Sequence, residues 1–369
     1  MTYVIDRAAI DRMIGRLRDE GFTVIGPTVR SEAVVLDEIE STDDLPVGVG
    51  DEQEAGHYRL VARDADTVFG AVVGPGSIKR FLHPPEAPVL RFVRSGAGFS
   101  LVAPAEAPRY AFVGVRPCDV AAVGVQDRVF LGGAARDATY AGRRDGAVFV
   151  VANCVRPGGT CFCASMGTGP RASGGFDVAL TEVGDGEEHW FLAEPGSELG
   201  DDLLRDVGAS EAPDAAEERV DELMTAAAGA MGRVLDTDGL ADALRESLDS
   251  ARWEQIATRC LTCANCTLVC PTCFCASVDD QTSLSGEEAV RVRRWDSCFN
   301  EEHSYIHGGP LRPSPSARYR QWLTHKLSSW VAQFGSMGCV GCGRCITWCP
   351  VGIDITEEAA ALREEVAHV

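Results

Sequence analysis

The sequence predicts an α+β protein: an N-terminal α/β domain with a mainly parallel sheet, followed by a largely helical, cysteine-rich C-terminal domain. Three observations predict it. Apolar runs at Tyr110 to Val115, Ala147 to Ala152 and Phe176 to Leu180 have the length and continuity of strands buried on both faces. Residues 6 to 20 place Ile10, Met13, Ile14 and Leu17 at helical spacing before Gly21, and Pro117 opens a second apolar helical pattern through Val120, Val123 and Val129. The C-terminal third carries the motif CxxCxxCxxxCP twice, at Cys260, Cys263, Cys266 and Cys270, and at Cys339, Cys342, Cys345 and Cys349.

The elements between these landmarks follow from local chemistry. Val24 to Val29 and Val34 to Leu36 are strand candidates, and the acidic, turn-rich stretch from Asp37 to Gly56 reads as irregular. Residues 184–250 are dominated by Asp, Glu, Ala and Gly, which suggests a linker with surface helices, including an amphipathic pair between Asp221 and Leu248. The expected domains are therefore 1–183, 184–250 and 251–369. A long insertion, Pro271 to Gly338, separates the two cysteine motifs.

The spacing of those motifs is that of a bacterial dicluster ferredoxin. Two-residue gaps let one loop present three thiolates, and the fourth cysteine sits a helical turn further on. In two-cluster proteins that fourth cysteine serves the other cluster. One [4Fe-4S] cluster is thus expected on Cys260, Cys263, Cys266 and Cys349, and another on Cys339, Cys342, Cys345 and Cys270. Zinc is the competing occupant, but its sites usually pair two knuckles and often include histidine.

A third [4Fe-4S] cluster is expected on Cys118, Cys154, Cys161 and Cys163. Cys118 and Cys154 follow two predicted parallel strands and emerge at one carboxyl edge, where such sheets place ligands. The loop bearing Cys161 and Cys163 can close over the same point. Zinc there, or simple packing of small buried thiols, are the alternatives. The hexapeptide Thr160-Cys-Phe-Cys-Ala-Ser165 recurs at Thr272 to Ser277. Cys273, Cys275 and Cys298 have no evident fourth ligand, so burial beside the clusters is favoured over a further metal site.

The chain has 369 residues, 15 cysteines, and 55 acidic against 34 basic side chains, a formal charge of −21. That charge argues against nucleic acid and anionic membranes as partners. Thiolate ligands imply a reducing compartment, and no long apolar segment or basic leader is evident, so a soluble cytoplasmic protein is expected. Arg291, Arg293, Arg294, Arg312, Arg318, Arg320 and Lys326 concentrate positive charge in the insertion, as a solvated face or as stabilisers of reduced clusters. His303, His307 and His325 read as packed or solvated side chains. Gly74-Pro-Gly76-Ser-Ile-Lys79 reads as a turn, and the absence of a dinucleotide or phosphate fingerprint predicts that the chain binds no flavin or NAD(P). No catalytic base or nucleophile is evident.

The segments GVRPCDVAAVGVQDRVF, ANCVRPGGTCFCASMGTGP, CLTCANCTLVCPTCFCASVDD, RRWDSC, RYRQWLTHK and GCVGCGRCITWCPVGIDI together resemble the iron–sulfur beta subunit of soluble sulfhydrogenases, NAD(P)-linked nickel–iron hydrogenases. The same signature resembles the iron–sulfur subunit of anaerobic sulfite reductase. The resemblance implies a non-catalytic electron carrier between the hydrogenase small and large subunits and a flavin- and nicotinamide-binding diaphorase subunit. A sulfite-reducing complex is the alternative that the resemblance leaves open, and a zinc-bound, non-redox scaffold is the alternative from a different class.

Overall fold

The computed structural model describes residues 1–367 except 65, 73, 104 and 185–188. Its first helix, Arg7–Asp19, is amphipathic in the way its spacing dictates. Ile10, Met13, Ile14 and Leu17 are fully buried, and Asp6 caps the helix by accepting the Ala9 N–H at 2.7 Å. The helix packs on an eight-stranded sheet whose order is Ser210–Glu211, Tyr3–Ile5, His189–Pro195, Val178–Gly184, Val148–Ala152, Tyr110–Val115, Thr23–Arg30 and Ala33–Glu38.

That sheet corrects the expectation of a mainly parallel one. Only its central strands, Val178–Gly184, Val148–Ala152, Tyr110–Val115 and Thr23–Arg30, run parallel to their neighbours. The flanks are antiparallel. The reason is connection length. Ser31 and Glu32, both with positive φ, join Thr23–Arg30 to Ala33–Glu38 by a two-residue hairpin, whereas parallel pairing needs a crossover of a dozen residues or more. The helix Pro117–Phe130 lies within such a crossover, between Tyr110–Val115 and Val148–Ala152.

The segment expected as linker also belongs partly to the sheet. His189–Pro195 and Ser210–Glu211 pair with Tyr3–Ile5 before the helices Asp214–Gly229 and Leu240–Glu246 begin. Their charged surroundings masked the Trp190-Phe191-Leu192 run. The insertion between the cysteine motifs is another departure from a largely helical C-terminus. It supplies the hairpin Ala276–Thr282 and Glu288–Trp295, which joins Glu86–Ser95 and Gly98–Leu101 in a four-stranded antiparallel sheet.

A second core holds the C-terminal part together. Trp253, Phe299, Tyr319, Trp322, Leu323, Leu327, Ile346 and Leu362 are buried in it, and Cys260, Cys266, Cys345 and Cys349 pack against them. Among the described residues no helix is long and apolar enough to cross a membrane.

Candidate metal centres

The two cysteine runs adopt one local geometry. In the first, Thr262 and Ala264 take left-handed conformations, φ 51° and 66°, which curl the loop before the short helix Asn265–Leu268 carries Cys266. Gly341 and Gly343 stand at the equivalent positions of the second run, φ 63° and 74°, ahead of Arg344–Thr347, which carries Cys345. Glycine is required at 341 for a further reason: a Cβ there would lie 2.6 Å from the Phe162 carbonyl oxygen. The second loop is thereby seated on the segment Thr160 to Cys163.

The fourth cysteine of each run lies beside the other run, with Cys349 neighbouring Cys260 and Cys266. A pocket is lined by Cys260, Cys263, Cys266 and Cys349, together with Cys345 of the second run, and Phe299, Tyr319, Trp322 and Ile353 form its apolar wall. Cys270 neighbours Cys339, Cys342 and Cys345, and Cys266 of its own run as well. Backbone and side-chain donors point at the sulfurs: Ile353 N–H at Cys349 Sγ (3.3 Å), Gly341 N–H at Cys339 Sγ (3.4 Å), and Lys326 Nζ at Cys270 Sγ (3.2 Å). Among the described residues no three His, Cys, Asp or Glu side chains converge tightly enough for a lone metal ion. The thiols of the first run, set around one pocket, suit a cluster of several irons.

Cys118, Cys154, Cys161 and Cys163 also come together. Cys118 occupies the first turn of Pro117–Phe130, Cys154 lies two residues beyond Val148–Ala152, and the loop carrying Cys161 and Cys163 closes over that sheet edge. All four are buried. Cys161 neighbours both Cys154 and Cys163, Cys118 neighbours Cys163, and Cys342 of the second run adjoins Cys118, Cys161 and Cys163. Desolvation pushes these thiols up, Cys163 to about 12, so each stays protonated until a metal neutralises the thiolate. Two buried arginines supply countercharge. Arg116 bonds Cys154 and the carbonyls of Phe69 (2.9 Å), Ala71 and Ala152 (3.3 Å), while Arg344 pairs with Asp119 at 2.8 Å beside Cys342 and Cys118.

A family profile described as a 4Fe-4S dicluster domain matches residues 259–353, the span that holds both runs. Sulfhydrogenase 2 subunit beta of Pyrococcus furiosus is 35% identical over 264 residues, covering 69% of this chain and 75% of that protein. The chain belongs to the sulfhydrogenase beta-subunit family. It is an iron–sulfur electron-transfer subunit carrying [4Fe-4S] clusters. No solved structure matches it.

In this family member the basic insertion is taken up by ion pairs and by hydrogen bonds to carbonyls and a hydroxyl. Arg291 pairs with Asp280 at 2.7 Å, Arg294 with Glu86 at 2.8 Å and Arg293 with Asp137. Arg318 donates to the carbonyls of Phe299 (3.0 Å), Arg312 (3.0 Å) and Pro313 (2.6 Å) and lies near Cys260. Arg312 donates to Ser304 Oγ, and Arg320 to the Leu248 carbonyl. Of the seven basic residues, Lys326 alone donates to a cysteine sulfur among the described residues. It sits on a π-helical turn, His325–Ser329, a rare geometry often found at functional sites. Lys79, expected only in a turn, is buried and donates to the Thr267 and Leu268 carbonyls at 3.3 and 3.1 Å. Arg116, Arg344 and Lys79 carried no spacing signal; only their adjacency to Cys118 and Cys342, and to the glycine pair, marked them.

Proposed function

We propose that this chain is the internal wire of a cytoplasmic nickel–iron hydrogenase complex, relaying electrons between the hydrogenase small and large subunits and a flavin- and nicotinamide-binding subunit. One [4Fe-4S] cluster is assigned to Cys260, Cys263, Cys266 and Cys349, a second to Cys270, Cys339, Cys342 and Cys345, and a third to Cys118, Cys154, Cys161 and Cys163. No flavin or NAD(P) is assigned to the chain itself. Each bound cluster supplies one-electron chemistry at nearly fixed geometry.

The observation that supports this reading is that Cys349 neighbours Cys260 and Cys266 of the first run while Cys270 neighbours Cys339, Cys342 and Cys345 of the second. Exchange of the fourth thiolate forces two clusters to be neighbours. The chain's own residues then do three things. The apolar wall of Phe299, Tyr319 and Trp322 excludes water from one side of the first cavity. Lys326, Arg116 and Arg344 place buried positive charge against the second and third thiol groups, which favours their reduced, more negative states. The left-handed turns at 262, 264, 341 and 343 hold the thiols in place before metal arrives.

The test is iron and acid-labile sulfide analysis of the anaerobic protein with EPR of its reduced form. About twelve irons per chain supports three cubanes, and about eight removes the third. Co-purifying nickel with hydrogen-dependent dye reduction supports the hydrogenase assignment, whereas co-purifying sirohaem replaces it with sulfite reduction.

A further inference from the structure

Three cysteines lie outside the three proposed ligand sets, and two of them are held together by the inserted hairpin. Its register sets Ala276 opposite Trp295, and the Asp296 N–H donates to the Cys275 carbonyl at 2.9 Å. The residues that precede one strand and follow the other are therefore side by side. Cys298 brings its thiol within hydrogen-bonding reach of Cys275 Sγ and aims its backbone N–H at the same sulfur. His303, on the turn Glu302–Ser304, also bonds Cys275 Sγ, and its Nδ1 lies 3.0 Å from Asp296 Oδ2. Asp296 is fixed in turn by the Ser297 N–H (2.7 Å) and Asn300 Nδ2 (3.1 Å). Cys275, Cys298 and His303 are all partly exposed. Cys273 is elsewhere, hydrogen-bonded to Cys270.

We propose that Cys275 and Cys298 form a redox-active dithiol that exchanges with low-molecular-weight disulfides, with Cys275 attacking, Cys298 resolving, and His303, oriented by Asp296, carrying the proton. The arrangement is a nucleophile beside a base that a third group orients. The hydrogen bond from Cys298, and then that from His303, hold Cys275 down to about 4, while the bond to Cys275 raises His303 to about 9. A partly exposed thiolate next to a resolving thiol is a usual form of a redox cysteine.

The exchange balances without any other reagent. Cys275 thiolate attacks a disulfide RSSR, forming an S–S bond to one half and expelling RS⁻, which takes the His303 proton. Cys298 then attacks Cys275 Sγ, passing its own proton to His303, and the second RS⁻ leaves as the Cys275–Cys298 disulfide forms. One disulfide is reduced to two thiols, and the protein dithiol loses two electrons.

The test uses the full chain, purified anaerobically and treated with glutathione disulfide. Peptide mass mapping of the native protein is expected to find the Cys275–Cys298 disulfide, and Cys298→Ser to trap glutathione on Cys275. Alkylation of Cys275 by iodoacetamide is expected to be nearly flat from pH 5 to 8. An ordinary thiol near pKa 8.5 slows tenfold per unit; allowing for the weaker nucleophilicity of a low-pKa thiolate, Cys275 near 4 reacts roughly thirty-fold faster at pH 5. Cys298→Ala, which removes the larger hydrogen bond, is expected to restore most of the slope, and His303→Ala part of it. The proposal is overturned if native Cys275 and Cys298 take separate glutathione adducts, or if Cys275→Ser or Cys298→Ser removes about four irons, which would make them cluster ligands. These readouts do not depend on the relay, so failure of either reading is separable from failure of the other.

Discussion

Replacing Lys326 by methionine removes a fully buried ammonium whose Nζ lies 3.2 Å from Cys270 Sγ and 3.0 Å from Thr272 Oγ1. Burial alone pulls this lysine down, but Cys270, Cys273 and Cys339 together outweigh it and raise its pKa well above the ordinary value, so it stays charged. An electron added to a cluster on Cys270 sits about 6 Å from Nζ, one iron–sulfur bond beyond the contact. At an effective dielectric of about 20 that attraction is about 3 kcal/mol, or roughly 120 mV for one electron. Lys326→Met is therefore expected to lower one cluster's midpoint potential by about 100 mV, read in an EPR-monitored redox titration, and to leave the others within about 30 mV. Lys326→Arg keeps the charge and should recover most of the shift. Thr272 still donates to the Gly338 carbonyl at 2.7 Å, so the methionine variant is expected to fold, which far-UV circular dichroism checks. A shift below about 30 mV in every cluster of a folded variant would show that Lys326 does not act on Cys270 as a charge.

Other perturbations separate the thiol groups. Cys349→Ser is expected to alter the EPR signal of the cluster on the Cys260 run and Cys270→Ser that of the cluster on the Cys339 run; the opposite result would mean each run keeps its own fourth ligand. Cys161→Ser should lower iron by about four per chain while the dicluster signals persist, and unchanged iron would leave the sheet-edge cysteines as packing thiols. Arg344→Met strands Asp119 in a site where both side chains are at most 3% exposed, which should cost about 3–5 kcal/mol of stability in denaturant unfolding. A loss under about 1 kcal/mol would mean that Asp119 finds another partner or a proton.

How far the sequence carried depends on whether a feature is local. The helix Arg7–Asp19 and the central strands were legible because each buries one periodic stripe or one continuous run. That Cys118 and Cys154 follow adjacent parallel strands was legible because such strands share a carboxyl edge. The antiparallel flanks were not, since His189–Pro195 sits between acidic stretches and its partner Tyr3–Ile5 lies at the other end of the domain. His303 read as an unremarkable histidine because its partners arrive through a hairpin whose register sequence does not reveal. Lys326 was one of seven basic residues; the π-helical turn, invisible in composition, is what separates it from six that find carboxylates, hydroxyls or carbonyls.

The order of the thiol groups follows from which of them touch. Cys266 of the first group neighbours Cys270, and Cys345 neighbours Cys266, so the first and second groups adjoin through both runs. Cys342 of the second group adjoins Cys118, Cys161 and Cys163, and its carbonyl lies 3.8 Å from Cys161 Sγ. The second group is thus the middle one. The two ends differ in exposure: Cys263 of the first group is exposed, whereas the third group is buried behind Arg116 and Arg344. The loop that fixes this order is seated by Gly341, whose backbone approaches Phe162 too closely for any side chain. A change there displaces the middle group from the third without touching a single cysteine, so the spacing between groups is a property of packing, and the repeated CxxC motifs define only the groups themselves.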